Sequence, residues 1–466
     1  MTRLVLLRPK MAFLNAMPNP PIGLGYLAAV LKEHGHQVEI IDCAIQKESY
    51  SQIISQVKQS NPDVVGITAL SSYYDGMRKL AHRFQELGIP VVLGGVHASS
   101  LPEFSLRDCK ADFVVSGEGE YTTLELIQKW QDEETRKKVK GIAYIENGKF
   151  KTNPKREPIQ NLDEIPFPAW DLISPLNYPP IPHGRVMKRY PLASILTTRG
   201  CPFSCSYCAS TQFWGGNFRR RSSQNVADEI EYLVDKFGVR EIHIWDDNFT
   251  LIKKHVIGIC REVLRRKLDL KFSCPNGVRI DSLNKEILQI MKRVGFYSLT
   301  FAIESGAQSI LDRANKKLNL KVIPKMVKIA KSLGYYIPSY FIFGLPGETY
   351  NTARQTIQLA KKLPLDIMTS FIAKPLPGSK LFTQWVQSQN LSEINYKMFH
   401  FYGADNKLEL SENGRKLILP KDAYQEFFFR PIQIWRFIKL WVTHFHLKQF
   451  FPIVRNIYNF FVKRKF

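Results

Sequence analysis

With 466 residues, 44% of them hydrophobic, the chain can bury full cores in two or three domains, which excludes any need for metal or disulfide staples to hold the fold. Lysine plus arginine number 65 against 42 acidic residues, a formal charge of +23 that points to anionic partners. Of the seven cysteines, Cys43, Cys109, Cys260 and Cys274 stand alone among apolar neighbours, and residues 1 to 8 read as a strand rather than a leader, so a reduced, cytoplasmic setting is expected.

In chain order, short apolar runs at Leu4 to Leu7, Val38 to Ile41, Val64 to Ile67, Val91 to Leu93 and Phe113 to Val115 alternate with amphipathic stretches of helical length. The alternation predicts a parallel sheet flanked by helices, a Rossmann-like domain over residues 1–135. Gly35, Gly88, Gly238, Gly295 and Gly334 stand where helices should end in a left-handed residue. Residues 136–190 break the pattern with a lysine-rich stretch, a hairpin signal at Asn147-Gly148, and Pro166, Pro168, Pro175, Pro179, Pro180 and Pro182, and read as an ordered linker. Alternation resumes at Ser194 to Leu196, then Glu241 to Trp245, Lys271 to Cys274, Ser298 to Ile303, Ser339 to Phe343 and Met368 to Ala373. Some six β/α repeats predict a partial (β/α)6 TIM-type barrel over residues 191–400, followed by a basic, aromatic, helical tail over 401–466.

The run Thr197-Thr198-Arg199-Gly200-Cys201-Pro202-Phe203-Ser204-Cys205-Ser206-Tyr207-Cys208 places three thiols at C-x3-C-x2-C on a loop after the first strand of this barrel. A closed metal site takes four protein ligands, so Cys201, Cys205 and Cys208 leave one position open for a substrate. Three thiols also suit a zinc loop with a distant fourth ligand, or a chance group of core cysteines, although no second C-x2-C hook follows. The spacing, with Tyr207 before the last cysteine, resembles the signature of the radical S-adenosylmethionine (SAM) enzymes. The resemblance implies a [4Fe-4S] cluster on the three cysteines and SAM on its fourth iron.

Other unusual residues fall on loops after strands, where such barrels carry function. The resemblance implies SAM contacts for Asp246 and Asp247 in Trp-Asp-Asp-Asn, for Arg279, for Glu304 and Ser305 in Ile-Glu-Ser-Gly, and for Gly344 in Gly-Leu-Pro-Gly-Glu-Thr. Each string alone is an ordinary turn or cap, and Arg279 equally suits pairing with a carboxylate. Their order behind the cysteine loop is what links them.

The N-terminal domain resembles the cobalamin-binding domains of methionine-synthase type. Thr68, Leu70 and Ser71 sit where that fold has Ser-x-Leu, and Gly94-Gly95 resembles its glycine pair; Gly23 and Gly25 in the first loop and Gly117-Glu118 look like those of cobalamin-dependent radical SAM proteins. Small residues at carboxyl ends of parallel strands admit a bulky ligand. The Asp-x-His-x-x-Gly string that supplies a cobalt ligand is missing from the sequence, and His34, His36 and His97 lack its context, so a corrinoid bound here is expected without a histidine below it. A domain that keeps the shape without the cofactor is the alternative.

Together the two resemblances imply a class B radical SAM methyltransferase, in which a 5′-deoxyadenosyl radical activates an unreactive carbon and methylcobalamin supplies a methyl group to a small-molecule or lipid-like substrate. They also imply a donor such as flavodoxin or ferredoxin. Relatives with the same parts close or rearrange rings instead. In the tail, Gln433, Arg436, Lys439, Thr443 and His446 recur at helical spacing, leaving Ile432, Trp435, Ile438, Trp441 and Phe445 on other faces. Such a helix suits an anionic membrane surface at the inner face of the membrane, and equally suits packing onto the barrel. RNA modification is the reading of another class, but methylthiotransferases acting on tRNA bring an N-terminal cysteine triplet, and here that domain has only Cys43 and Cys109. Replacing Cys201, Cys205 or Cys208 by alanine should abolish cluster absorbance and 5′-deoxyadenosine formation together; a fully active variant would contradict the cluster assignment.

Overall fold

The computed structural model describes residues 1–10, 18–179, 187–387, 389, 391–399 and 407–436. The chain divides into two units: Met1–Tyr178 with Cys208–Arg219 and Pro375–Phe399, and Pro179–Tyr207 with Arg220–Lys374 and His400–Phe466. Linker prolines Pro180 and Pro182, and the tail from residue 437 onward with Lys439, Trp441, Thr443, Phe445 and His446, lie outside the described residues.

In the first unit the predicted strands form β1 (Arg3–Arg8), β2 (Gln37–Asp42), β3 (Val64–Thr68), β4 (Val91–Gly94) and β5 (Phe113–Val115), all parallel, in the order β2-β1-β3-β4-β5. The Val, Ile and Leu side chains of β1, β3, β4 and β5 are buried on both faces, as a doubly covered parallel sheet requires, while Val38 and Ile40 of edge strand β2 are partly buried. The hairpin at Asn147-Gly148 is not part of a linker. Its strands β6 (Ile142–Glu146) and β7 (Lys149–Thr152) extend the same sheet, with β6 antiparallel to β5. Ala169, Trp170 and Ile173 from the proline-rich stretch are buried as well, so the unit extends well past residue 135. Asp42 accepts both Arg8 Nε (2.9 Å) and Tyr178 Oη (2.7 Å), fastening the end of that stretch to the carboxyl ends of β1 and β2. Phe382, Tyr396 and Phe399 enter this core from far along the chain, correcting the expectation that 191–400 form one barrel domain.

In the second unit, β8 (Leu192–Ile195), β9 (Glu241–Ile244), β10 (Lys271–Val278), β11 (Phe296–Glu304), β12 (Pro338–Phe343) and β13 (Ile367–Ile372) are all parallel, and each pairs with the next in sequence. This is the predicted six-stranded partial barrel. Helices between strands carry one buried stripe, such as Ile287, Leu288, Met291 and Val294 in Lys285–Val294, which starts at its Asn284 cap and ends at left-handed Gly295. The tail was expected to be helical throughout, but Leu408–Glu412 and Arg415–Leu419 pair as a hairpin around Asn413-Gly414, before helix Lys421–Phe428.

Gly306 packs after β11, where a Cβ would lie 2.6 Å from Thr356 Cα and 2.7 Å from the Gln355 carbonyl oxygen. Backbone cannot step aside cheaply, so Gly306→Ala should destabilise the protein by about 1–3 kcal/mol. Urea denaturation checks this, and an unchanged midpoint would contradict it.

Candidate functional site

The cysteine loop begins where β8 ends. Thr197 and Thr198 donate backbone N–H groups to Asp246 Oδ1 at 2.6 and 3.2 Å, and the Thr197 hydroxyl binds Asp246 Oδ2 and lies 2.9 Å from His255 Nε2. Asp246 is buried just past β9, and burial pushes its pKa up to about 6 despite those donors. Its carboxylate is thus engaged by the start of the cysteine loop. Further along, Ser206 N–H donates to the Ala314 carbonyl (2.9 Å), and Asn315 Nδ2 donates to Ser204 O (3.1 Å) and Oγ (2.7 Å). Both flanks of the loop are therefore fixed.

Cys201 and Cys208 are half-buried, Cys205 is buried, and none of the three is in a disulfide among the described residues. Burial raises the Cys201 pKa, nearby Asp247 and Cys205 add to the rise, and Arg279 opposes it. A thiolate there is favoured by bound iron. Among the described residues no three His, Cys, Asp or Glu side chains converge on one metal ion. A cubane asks for something else, since each thiolate holds a different iron, and the donor set fits it.

Around this loop the strand ends bring some expected residues together. The Arg279 guanidinium stacks 3.7 Å from the Phe203 ring centre, pairs with Asp281 (2.6 Å) and donates to the Lys316 carbonyl (2.7 Å). It braces the loop through its own partners, the carboxylate pairing considered for it. Glu304, at φ +69°, forms a buried ion pair with Lys316 (2.9 Å). A left-handed conformation in a residue with a Cβ is unusual and concentrates at functional positions. Ser305 is fully buried; its Oγ lies 3.2 Å from Thr356 Oγ1 and accepts Ala307 N–H, contacts that fix the turn after β11. Tyr207 packs against Ala307, Ile310, Ala314 and Leu345. Gly344 needs its φ of +81°, and its N–H donates to Glu348, whose pKa burial pushes up to about 7. Sequence reasoning missed Asn248, whose buried amide has neither oxygen nor nitrogen paired among the described residues. It lay in the same Asp-Asp-Asn turn, and its type alone gave no signal.

In the first unit, the loops after β3, β4 and β5 gather at one edge of the sheet, as parallel pairing dictates. Gly95 (φ +85°) sits against Thr68 Oγ1, and Leu70 is 51% exposed, unusual for a leucine flanking a core. Cβ atoms at Gly23 and Gly117 would meet open space, and at Gly94 only the Val115 oxygen at 3.9 Å. These openings fit a bulky cofactor. Gly25 differs: a Cβ there would lie 2.5 Å from Ile173 and 2.9 Å from Pro168, so its smallness serves close packing. Glu118 also differs, because it pairs with buried Arg219 (2.7 Å) and accepts Ile159 N–H (2.9 Å). Ser71 Oγ lies 3.0 Å from His97 Nδ1, and burial lowers the His97 pKa to about 3, keeping the ring neutral. His97 is enclosed in the interior with Tyr74 and Tyr396, at ring-centre distances of 4.4 and 5.3 Å.

The sequence matches the B12 binding domain over residues 16–127 and the Radical SAM superfamily over 195–360. It is 36% identical to an uncharacterized methyltransferase of Pyrococcus horikoshii, covering 88% of each chain. It is 30% identical to cytidylyl-2-hydroxyethylphosphonate methyltransferase of Streptomyces wedmorensis, covering 89% of this chain and 88% of that one. Anaerobic magnesium-protoporphyrin IX monomethyl ester cyclase of Rubrivivax gelatinosus is 28% identical, with 88% and 74% covered. The fold is similar to that of the radical SAM methyltransferase TsrM from Kitasatospora setae, solved with cobalamin and a [4Fe-4S] cluster, at a TM-score of 0.69, 19% identity and 83% and 75% coverage.

Asp246→Asn tests the clamp on the cysteine loop. Because the folded pKa of about 6 lies above the ordinary 3.8, the carboxyl group contributes stability at low pH and loses it as pH rises through about 6. The wild type should lose up to about 3 kcal/mol from this group across that window, and the variant should lack that slope. Urea titrations at stepped pH measure the difference; parallel curves would contradict it.

Proposed function

Because the chain belongs to the radical SAM enzymes that carry an N-terminal B12-binding domain, we propose that it methylates an unactivated carbon of a small-molecule or lipid-like substrate. What carries the methyl-transfer reading is that two relatives at 30% identity or more, each matched over nearly nine-tenths of its length, are methyltransferases. The cofactors supply the hard chemistry: a [4Fe-4S] cluster to cleave SAM reductively into a 5′-deoxyadenosyl radical, and cobalamin to carry the methyl group.

The chain's part is binding and placement. Cys201, Cys205 and Cys208 hold the cluster, with Asp246 and Asn315 fixing the loop that carries them. We assign SAM contact to Asp247, Asn248, Tyr207 and the Gly344 turn, and positioning roles to Arg279, Ser305 and the Glu304–Lys316 pair. Thr68, Leu70, Ser71 and the openings at Gly23, Gly94 and Gly117 face the corrinoid. A small carrier such as flavodoxin or ferredoxin delivers the electron, and an anionic membrane surface is the partner of the C-terminal region.

A second reading, ring closure without methyl transfer, is favoured by the 28% identity to the cyclase. One experiment separates the two. The enzyme is reconstituted anaerobically with cluster and cobalamin, then given reductant, deuterated-methyl SAM and a metabolite extract. Methylation predicts 5′-deoxyadenosine, S-adenosylhomocysteine and a labelled product; 5′-deoxyadenosine with no labelled product would overturn it in favour of cyclisation.

A further inference from the structure

Residues 430–436 follow the helix Lys421–Phe428 and turn their polar side to the protein. Arg430 donates to the Lys361 carbonyl, Gln433 Nε2 to the Asp366 carbonyl (2.5 Å) and Arg436 Nη1 to the Leu365 carbonyl (3.3 Å). Gln433 is almost completely buried, 1% exposed. Positions 430, 433 and 436 lie on one face of a helix, so the stripe docked on the barrel is the polar one. The apolar residues are left on the outside: Phe429 is 63% exposed, Ile432 50%, Ile434 47% and Trp435 57%. An ordinary surface helix does the reverse, burying its apolar stripe and hydrating its polar one. For residues 430–436 the polar stripe, not the apolar one, faces the barrel.

A contiguous exposed apolar group of this kind marks an interaction surface, and charge identifies what it meets. The chain that follows, residues 437–466, has Lys439, Lys448, Arg455, Lys463, Arg464 and Lys465 and no acidic residue, with Trp441, Phe445, Phe450, Phe451, Tyr458, Phe460, Phe461 and Phe466 among them. A second protein would have to supply a strongly acidic, aromatic-binding groove. An anionic bilayer supplies negative charge and apolar depth at once, and tryptophan beside basic residues suits its interface. No described helix is long and apolar enough to cross a membrane, so the contact lies at the surface. We infer that the barrel side of residues 361–366 and 430–436 is a membrane-docking face, with Phe429, Ile432, Ile434 and Trp435 entering the headgroup region and the basic chain after them held by anionic lipid. This deepens the membrane partner named above and does not depend on the methyl-transfer chemistry.

Flotation of the full chain with vesicles of phosphatidylglycerol and phosphatidylcholine, and of phosphatidylcholine alone, at low and high salt, tests it. The protein should float with the anionic vesicles, more weakly at high salt. Ile432→Ser combined with Trp435→Ser should weaken that binding about tenfold or more while leaving the melting temperature and 5′-deoxyadenosine formation unchanged. A double variant that floats like the wild type would overturn the docking face. So would an association that the substitutions abolish in the absence of vesicles, seen as a dimer by light scattering, because a second copy would then be the occupant. Loss of methylated product with flotation intact would bear on the chemistry alone.

Discussion

The carboxylate of Asp246 holds the site together. It gathers the N–H groups of Thr197 and Thr198 at the point where β8 stops and the cysteine loop begins, so two adjacent donors that the sheet no longer satisfies find an acceptor from the neighbouring strand end. Burying an ionised carboxyl group opposes folding, and the raised pKa of about 6 is the sign of that opposition. The gain is a launching point fixed in two directions. Three thiols separated by three and two residues can address one cluster only if the backbone between them is set, and Asn315 and the Ser206–Ala314 bond set the other side.

The parallel sheets make the rest follow. Each strand that ends near the loop delivers one residue to the same edge: Asp246 after β9, Arg279 after β10, Glu304 at the end of β11 and Gly344 after β12. The first unit obeys the same rule with different residues, small ones, at some of which a Cβ would meet open space. The open positions at Gly23 and Gly117 and the exposed Leu70 belong to that logic, whereas Gly25 serves the contact with Pro168 and Ile173.

Strands were legible because a parallel sheet buried on both faces writes itself as apolar runs, and the cysteine loop was legible because its spacing is chemical rather than statistical. What the sequence hid was partnership across distance. Nothing local ties Asp42 to Tyr178, or places Tyr396 beside His97, since periodicity reports which face is buried and not what buries it. The hairpin around Asn147-Gly148 was visible as a hairpin, but its addition to a sheet edge depended on β5, a strand of only three residues, having a free side. The site residues diverged for a related reason. Asp246, Ser305 and Arg279 were found as unusual residues at strand ends, and the structure adds that their polar atoms are engaged within the protein. In the helix at 430–436 the polar spacing was legible, but spacing cannot say which stripe faces inward.

The account stands on one chain hosting two cofactors, a cluster with an iron left open for SAM and a corrinoid without a histidine ligand. Electron paramagnetic resonance of the anaerobically reconstituted and reduced protein tests this most directly. The predicted result is a reduced-cluster signal that changes when SAM is added, together with a cob(II)alamin signal lacking the splitting of an axial nitrogen. A cluster signal indifferent to SAM, or a nitrogen-split cobalt signal, would contradict it.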